Sequence, residues 1–110
     1  MGDVFAALAD PTRRRLVEVV RKGEKSVSEL VAAVDIAQPG VSRHLRILNE
    51  AGLVRVRASG QRRLYSLRRQ PLRELEAWMA RFADDERDRL GRLADFVEGS
   101  AAKTSTRNRK

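Results

Sequence analysis

Cysteine is absent from this chain, histidine and tryptophan occur once each, and aromatic residues make up 5% of the sequence. Without thiols there is no disulfide, no thiolate metal ligand and no thiol redox switch. One histidine and no cysteine also leave no convincing nucleophile–base pair, so an enzyme is not expected. No stretch approaches the roughly 20 apolar residues that cross a bilayer, so no membrane partner is expected. Met1 to Ala9 lacks the basic start and apolar run of a signal peptide, which makes a cytoplasmic protein the expectation.

What is abundant is positive charge. The 110 residues carry 23 Lys and Arg against 15 Asp and Glu, a formal net charge of +8. Such a balance calls for a polyanionic partner, with nucleic acid ahead of an anionic membrane surface. Residues 1–70 hold 14 basic against 7 acidic residues, residues 71–98 hold 5 against 8, and residues 99–110 hold 4 against none. The polyanion is therefore expected on the first two thirds of the chain, and the mildly acidic stretch that follows has another task. The small, polar, basic segment 99–110 reads as a disordered tail after a single domain over 1–98.

The hydrophobic spacing predicts five helices and a hairpin. Val4, Phe5 and Leu8 form the apolar stripe of a short first helix. Asp10-Pro11 pairs a good N-cap with a favoured first helical residue, and a second helix runs through Leu16, Val17, Val19 and Val20 to Gly23. Arg13, Arg14 and Arg15 sit on its first turn, where the helix dipole disfavours them, which hints at another use. Ser26-Val27-Ser28-Glu29 fits a capping box opening a third helix with Leu30, Val31 and Val34 inward. A turn over Asp35 to Gln38 leads to a fourth helix with Val41, Leu45 and Leu48 on one face, ending at Gly52. Leu53 to Ala58 and Arg62 to Leu67 alternate as strands about a turn at Ser59-Gly60-Gln61. Pro71 opens a long last helix with Leu72, Leu75, Trp78, Met79 and Phe82 inward, a stripe that resumes at Leu90, Leu93, Phe96 and Val97.

Two short helices joined by a tight turn and followed by a basic hairpin make a winged helix-turn-helix: a mainly α fold with a two-stranded β-wing. A recognition helix in the major groove needs a polar outer face, because base edges offer hydrogen-bonding groups and the thymine methyl. Gln38, Ser42, Arg43 and Arg46 supply that face. Arg57, Gln61, Arg62 and Arg63 on the wing suit phosphates or an adjacent minor groove. His44 is expected to pack or hydrogen-bond near the DNA backbone. Two other classes remain open at this point: a winged-helix protein-interaction module, and a non-specific nucleic-acid-binding protein.

These residues also carry a resemblance. Phe5-Ala6-Ala7-Leu8-Ala9-Asp10-Pro11-Thr12-Arg13-Arg14 is similar to the N-terminal signature of ArsR/SmtB-type regulators. Ser26 to Leu30, and Gln38-Pro39-Gly40-Val41-Ser42-Arg43-His44-Leu45-Arg46-Ile47-Leu48, resemble their helix-turn-helix, and Ala51 to Val54 with Gly60 to Leu67 resemble their wing. The resemblance spans about residues 4 to 80. It implies a homodimer held by the first and last helices, bound to a palindromic operator on double-stranded DNA, usually as a repressor. By position it also assigns base-side contacts to Gln38, Pro39, Ser42 and Arg43.

The departures from the family pattern are specific. The third helix reads Glu29-Leu30-Val31-Ala32-Ala33-Val34, with none of the cysteines through which many relatives sense metals. Residues 71–98 contain no His for the alternative site on the last helix. Asp84, Asp85, Glu86 and Asp88 read as a solvated face, so no metal site and no cofactor are expected, and the chain resembles the branch of the family that does not sense metals. Ala37 stands where a serine cap is common, and Gly40 lowers helix propensity in the first turn of the recognition helix. The dimer interface is expected at Phe5 and Leu8 of the first helix and at Leu75, Trp78, Met79 and Phe82 of the last. Their apolar stripe exceeds what a small domain leaves facing water. No residue pattern points to a small-molecule effector.

Overall fold

The computed structural model describes residues 2–99, and the side chains of residues 3–93. The side chains of Phe96 and Val97, and the expected tail beyond Gly99, lie outside the described residues. Among those described, the order is α1 (Gly2–Leu8), α2 (Pro11–Arg21), β1 (Lys25–Ser26), α3 (Val27–Val34), α4 (Gln38–Glu50), β2 (Val54–Ser59), β3 (Arg62–Leu67) and α5 (Gln70–Gly99). The chain divides into two compact units, Met1–Leu75 and Glu76–Lys110.

The first unit is built from helices that begin where the local chemistry starts them. Asp10 caps α2 by accepting from the Arg13 backbone N–H at 3.0 Å. At α3 the Ser26 hydroxyl accepts from the Glu29 N–H at 3.3 Å, and the Glu29 carboxylate accepts from the Ser26 N–H at 2.8 Å. This reciprocal box satisfies two otherwise orphan donors. Glu29 is held below the usual carboxylate range, chiefly by the bond from the Ser26 N–H. Asp10 is lowered chiefly by the Arg13 N–H, and Glu24 chiefly by the Arg57 guanidinium.

Each of these carboxylates has a lower pKa folded than unfolded, so its stabilisation is complete above the ordinary carboxylate range and is lost as pH falls through that range. The thermal midpoint should hold steady near neutrality and drop below about pH 5. Glu29→Gln retains the acceptor of the box and should flatten part of that drop. Ser26→Ala should cost about 1 kcal/mol, read as a lower thermal midpoint at every pH. An unchanged midpoint in Ser26→Ala would show that the box adds nothing to stability.

The core gathers Val4 and Ala7 from α1, Leu16, Val17 and Val20 from α2, Leu30 from α3, Val41, Leu45 and Leu48 from α4, then Leu53, Val54 and Tyr65. The expected stripes of α2, α3 and α4 are all present. In α1 the stripe shifts. Val4 and Ala7 are buried while Phe5 is 43% exposed, because a residue next to Val4 lies about 100° around a 3.6-residue helix.

The helix-turn-helix joint is tighter than its residues suggest. The turn is Asp35-Ile36-Ala37, since Gln38 already belongs to α4. Asp35 takes a left-handed conformation (φ 57, ψ 45) as the C-cap of α3, which Asp tolerates better than most side chains. Gly52 ends α4 with φ 78. Its N–H bonds to the Asn49 carbonyl at 3.0 Å and the Leu53 N–H to the Leu48 carbonyl at 2.9 Å, the two bonds of a Schellman motif.

The wing gains a strand. β2 and β3 pair from Val54↔Leu67 to Ser59↔Arg62 across the two-residue turn Gly60-Gln61. Beyond the expected hairpin, β1 adds to the free edge of β3 through Lys25↔Tyr65 and Ser26↔Leu64, giving the order β1-β3-β2. A lone hairpin is marginal in water, and this edge pairing with the burial of Tyr65 anchors it to the helices.

Leu72 and Leu75, at the start of α5, are half-buried against the same core. In the second unit the helix leaves Trp78 38%, Met79 50% and Phe82 56% exposed within the single chain, so these three are not inward as their spacing suggests. Trp78 and Phe82 stack edge to face at 4.9 Å. Two carboxylates of the same helix are drawn into i,i+3 pairs, Arg87 with Asp84 and Arg89 with Glu86.

Candidate nucleic-acid interface

The side of α4 turned away from the core carries polar groups because its apolar residues fall at Val41, Leu45 and Leu48. Gln38, Ser42, Arg43, Arg46 and Asn49 then lie to the other side, where with Pro39 they line one wall of an open groove. The opposite wall is the wing, through Val56, Arg63 and Tyr65. Strand alternation produces this wall. Val56 pairs with Tyr65 and Ala58 with Arg63, so these side chains share one face of the ribbon, whereas Arg57, Leu64 and Arg62 share the other. A second hollow next to it is lined by Gln38, Gln61, Arg62 and Arg63 with Ser26, Val27 and Ser28.

The structure thus brings together eight of the nine residues that the sequence singles out for DNA: Gln38, Pro39, Ser42, Arg43, Arg46, Gln61, Arg62 and Arg63. Arg57 stands apart. Its guanidinium makes a bidentate bond to Glu24, Nε to Oε2 at 2.8 Å and Nη2 to Oε1 at 2.9 Å. Glu24 lies 33 residues away, which no local pattern could have matched to it. Among the described residues Arg43, Arg46, Arg62 and Arg63 make no ion pair, and Glu29, held in its capping box, feels the charge of Arg62 from a distance.

The recognition-type helix is fastened by side chains that serve two elements. The Arg13 guanidinium donates to the Ala7 carbonyl at 2.7 Å and the Ala6 carbonyl at 3.2 Å, and its Nη1 lies 3.2 Å from His44 Nδ1. An arginine can only donate, so Nδ1 accepts in the tautomer that keeps its proton on Nε2. Arg14 donates to the carbonyls of Leu8 and Ala9 at 2.8 and 3.2 Å. Two of the three arginines that the α2 dipole disfavours, Arg13 and Arg14, therefore satisfy carbonyls at the end of α1, and Arg13 extends that tie to α4. His44 points toward α2, its Nδ1 also 3.9 Å from the Asp10 carboxylate.

Two departures in the first turn of α4 also have local accounts. Ala37 supplies no side-chain cap, as expected. A Cβ at Gly40 would come within 3.0 Å of Ile36 Cγ2, so the glycine lets the turn of the motif pack closely onto its second helix. Of the six residues expected at a dimer interface, Leu8 and Leu75 are half-buried against the chain's own core, while Phe5, Trp78, Met79 and Phe82 are exposed.

No described helix is long and apolar enough to cross a membrane. Among the described residues no group of three His, Cys, Asp or Glu is placed to hold a metal ion. What the groove can do chemically is bind an extended anion and offer amide, hydroxyl and guanidinium groups to it.

Comparison with known proteins gives the same answer by another route. Residues 10–56 match the family of bacterial regulatory proteins described as the arsR family. The chain is 33% identical to the transcriptional repressor SdpR of Bacillus subtilis over 82 residues, covering 74% of this chain and 91% of that protein. It is 37% identical to the arsenic resistance transcriptional regulator ArsR1 of Pseudomonas putida over 100 residues, covering 86% of this chain and 78% of that one. A crystal structure of an ArsR family transcriptional regulator superimposes with a TM-score of 0.69 at 34% identity, over 76% of this chain and 86% of the other. A helix-turn-helix with a basic wing, an open polar and basic groove and relatives of this closeness lead to one conclusion: the chain belongs to the ArsR family and is a DNA-binding transcriptional regulator.

Proposed function

We propose that the protein is a homodimeric repressor that reads a palindromic operator through the groove between α4 and the wing. The observation that carries this reading is the open polar face of α4, with Gln38, Ser42, Arg43 and Arg46 lining a groove that Arg63 closes from the wing. Arg43 and Arg46 are suited to guanine, Gln38 to adenine and Ser42 to either, each good bidentate pair contributing roughly 1–3 kcal/mol of discrimination. Pro39 opens the helix beside them. Gln61, Arg62 and Arg63 hold phosphates or a minor groove and set affinity rather than sequence choice. Two copies related by a two-fold axis present their α4 helices about one turn of DNA apart, which is why a palindrome is the matching sequence.

The signal is a separate matter. Relatives include a regulator named for arsenic resistance. This chain has no cysteine, and α3 offers Glu29 as its one ionisable ligand, already engaged in the capping box. We therefore place it among family members that respond to something other than a thiolate-bound metal. A soluble cytoplasmic setting accords with its partner being DNA.

Selection of genomic fragments on the purified protein, followed by sequencing, should return a sequence with two-fold symmetry. Recovery of fragments with no shared sequence would overturn the operator reading in favour of non-specific binding. A salt titration on the selected operator adds the phosphate count, because each phosphate contact releases condensed counterions.

The wing arginines should not behave alike. Arg63→Ala removes a groove cation and should reduce the slope of log Kd against log salt by about 1. Arg57→Ala removes a cation already neutralised by Glu24 and should leave that slope unchanged. Equal reductions in the two variants would show that the Arg57–Glu24 pair opens on DNA.

A further inference from the structure

A second basic surface lies at the base of the wing. Arg55, Arg68, Arg69 and Arg73 line an open hollow with Leu67 and Gln70, and none of these residues lines the groove beside α4. Arg55 projects from the face of β2 opposite Val54 and Val56, because side chains alternate along a strand. All four arginines are exposed. Among the described residues none of the four makes an ion pair or a side-chain hydrogen bond, whereas Arg57, Arg87 and Arg89 each have a carboxylate partner. Glu74, one turn beyond Gln70, accepts from the Gln70 amide at 3.2 Å.

Four guanidinium groups around one hollow repel one another, and among the described residues no carboxylate pairs with any of them. Arginine is the side chain best matched to phosphate, through paired N–H donors. The lining holds no aromatic ring and a single apolar side chain, so it has nothing on which a nucleobase could stack. That composition suits the outside of a phosphodiester backbone better than a compact nucleotide. We propose that Arg55, Arg68, Arg69 and Arg73 form a second DNA-backbone contact, separate from the operator groove, which engages either DNA flanking the operator or a second duplex. Taking DNA as the polyanion rests on the DNA-binding function of the groove. The patch adds reach or bridging and no base preference.

The test is a triple variant, Arg68→Gln with Arg69→Gln and Arg73→Gln, beside the matching triple Lys variant, which keeps the charge. Binding is measured against salt on a duplex trimmed to the operator core, on one extended to both sides, and on random duplex. A bridging assay then asks whether immobilised DNA retains a second, labelled duplex through the protein. Flanking contact predicts that the Gln variant loses about 2 to 3 units of salt slope on the extended duplex, with none lost on the core and the Lys variant behaving as wild type. Contact with a second duplex predicts unchanged slopes on single duplexes and a loss of bridging in the Gln variant alone. Unchanged slopes together with unchanged bridging overturn the proposal, and so does an equal loss on the trimmed core, which would merge the patch with the groove. The slope on random duplex reads the patch even where base preference is absent, so the two readings fail separately.

Discussion

Arg43→Ala is expected to weaken operator binding by roughly 5- to 150-fold and to relax the base preference at one position in each half-site. Arg43 stands on the groove side of α4, one residue before His44, which turns toward α2 and Arg13. Its guanidinium makes no ion pair among the described residues, so no internal partner has to be given up on binding. The contrasting variant is Arg62→Ala with Arg63→Ala. Losing two wing cations should lower affinity for every sequence and reduce the salt slope by about 2, with the order of base preferences intact. Binding measured across a set of operators, each with one base pair changed, separates the outcomes. If both variants merely scale all affinities by a common factor, the division between reading bases and holding phosphates is wrong.

The second large effect concerns assembly. On the proposed homodimer, Met79→Glu combined with Phe82→Glu should give monomers in sedimentation and lower operator affinity by roughly 10²- to 10⁴-fold, the scale lost when two linked binding events become independent. Both residues are about half exposed in the single chain, at 50% and 56%, so their replacement leaves the core of residues 1–75 intact. Thermal unfolding and circular dichroism of the variant should therefore still report folded helices. Leu75→Ala makes a useful contrast, because Leu75 packs against the chain's own core and its loss should lower stability first. A double-Glu variant that stays dimeric and binds its operator unchanged would remove α5 from the interface.

Much of this protein was legible because its signals are short-range. Asp10-Pro11 and Ser26-x-x-Glu29 announce helix starts through bonds that span three residues, and the structure contains both. Val41, Leu45 and Leu48 bury one side of α4, and that burial leaves Gln38, Ser42, Arg43 and Arg46 on the other. Gly52 ends the helix through bonds to residues three and five positions back.

The surprises involve a partner in another element, or an angle that residue type does not dictate. β1 is two residues long and exists because β3 has a free edge beside it. Arg57 reads as an unpaired cation until Glu24 is folded next to it. Arg13 and Arg14 look misplaced on α2 until the last turn of α1 is set against them. Phe5 joins the apolar stripe on spacing alone, yet the α1 surface that meets the core is the one bearing Val4 and Ala7.

The amino-acid order by itself determined where helices start, which of their sides are apolar, and that a basic wing follows a helix-turn-helix. Those features depend on bonds and rotations confined to a few neighbouring residues. Tertiary structure alone decided which charges are spent internally and which stay open to an anion. A guanidinium takes whichever carboxylate or carbonyl the fold brings within about 3 Å, and for Arg57 that partner, Glu24, comes from 33 residues away.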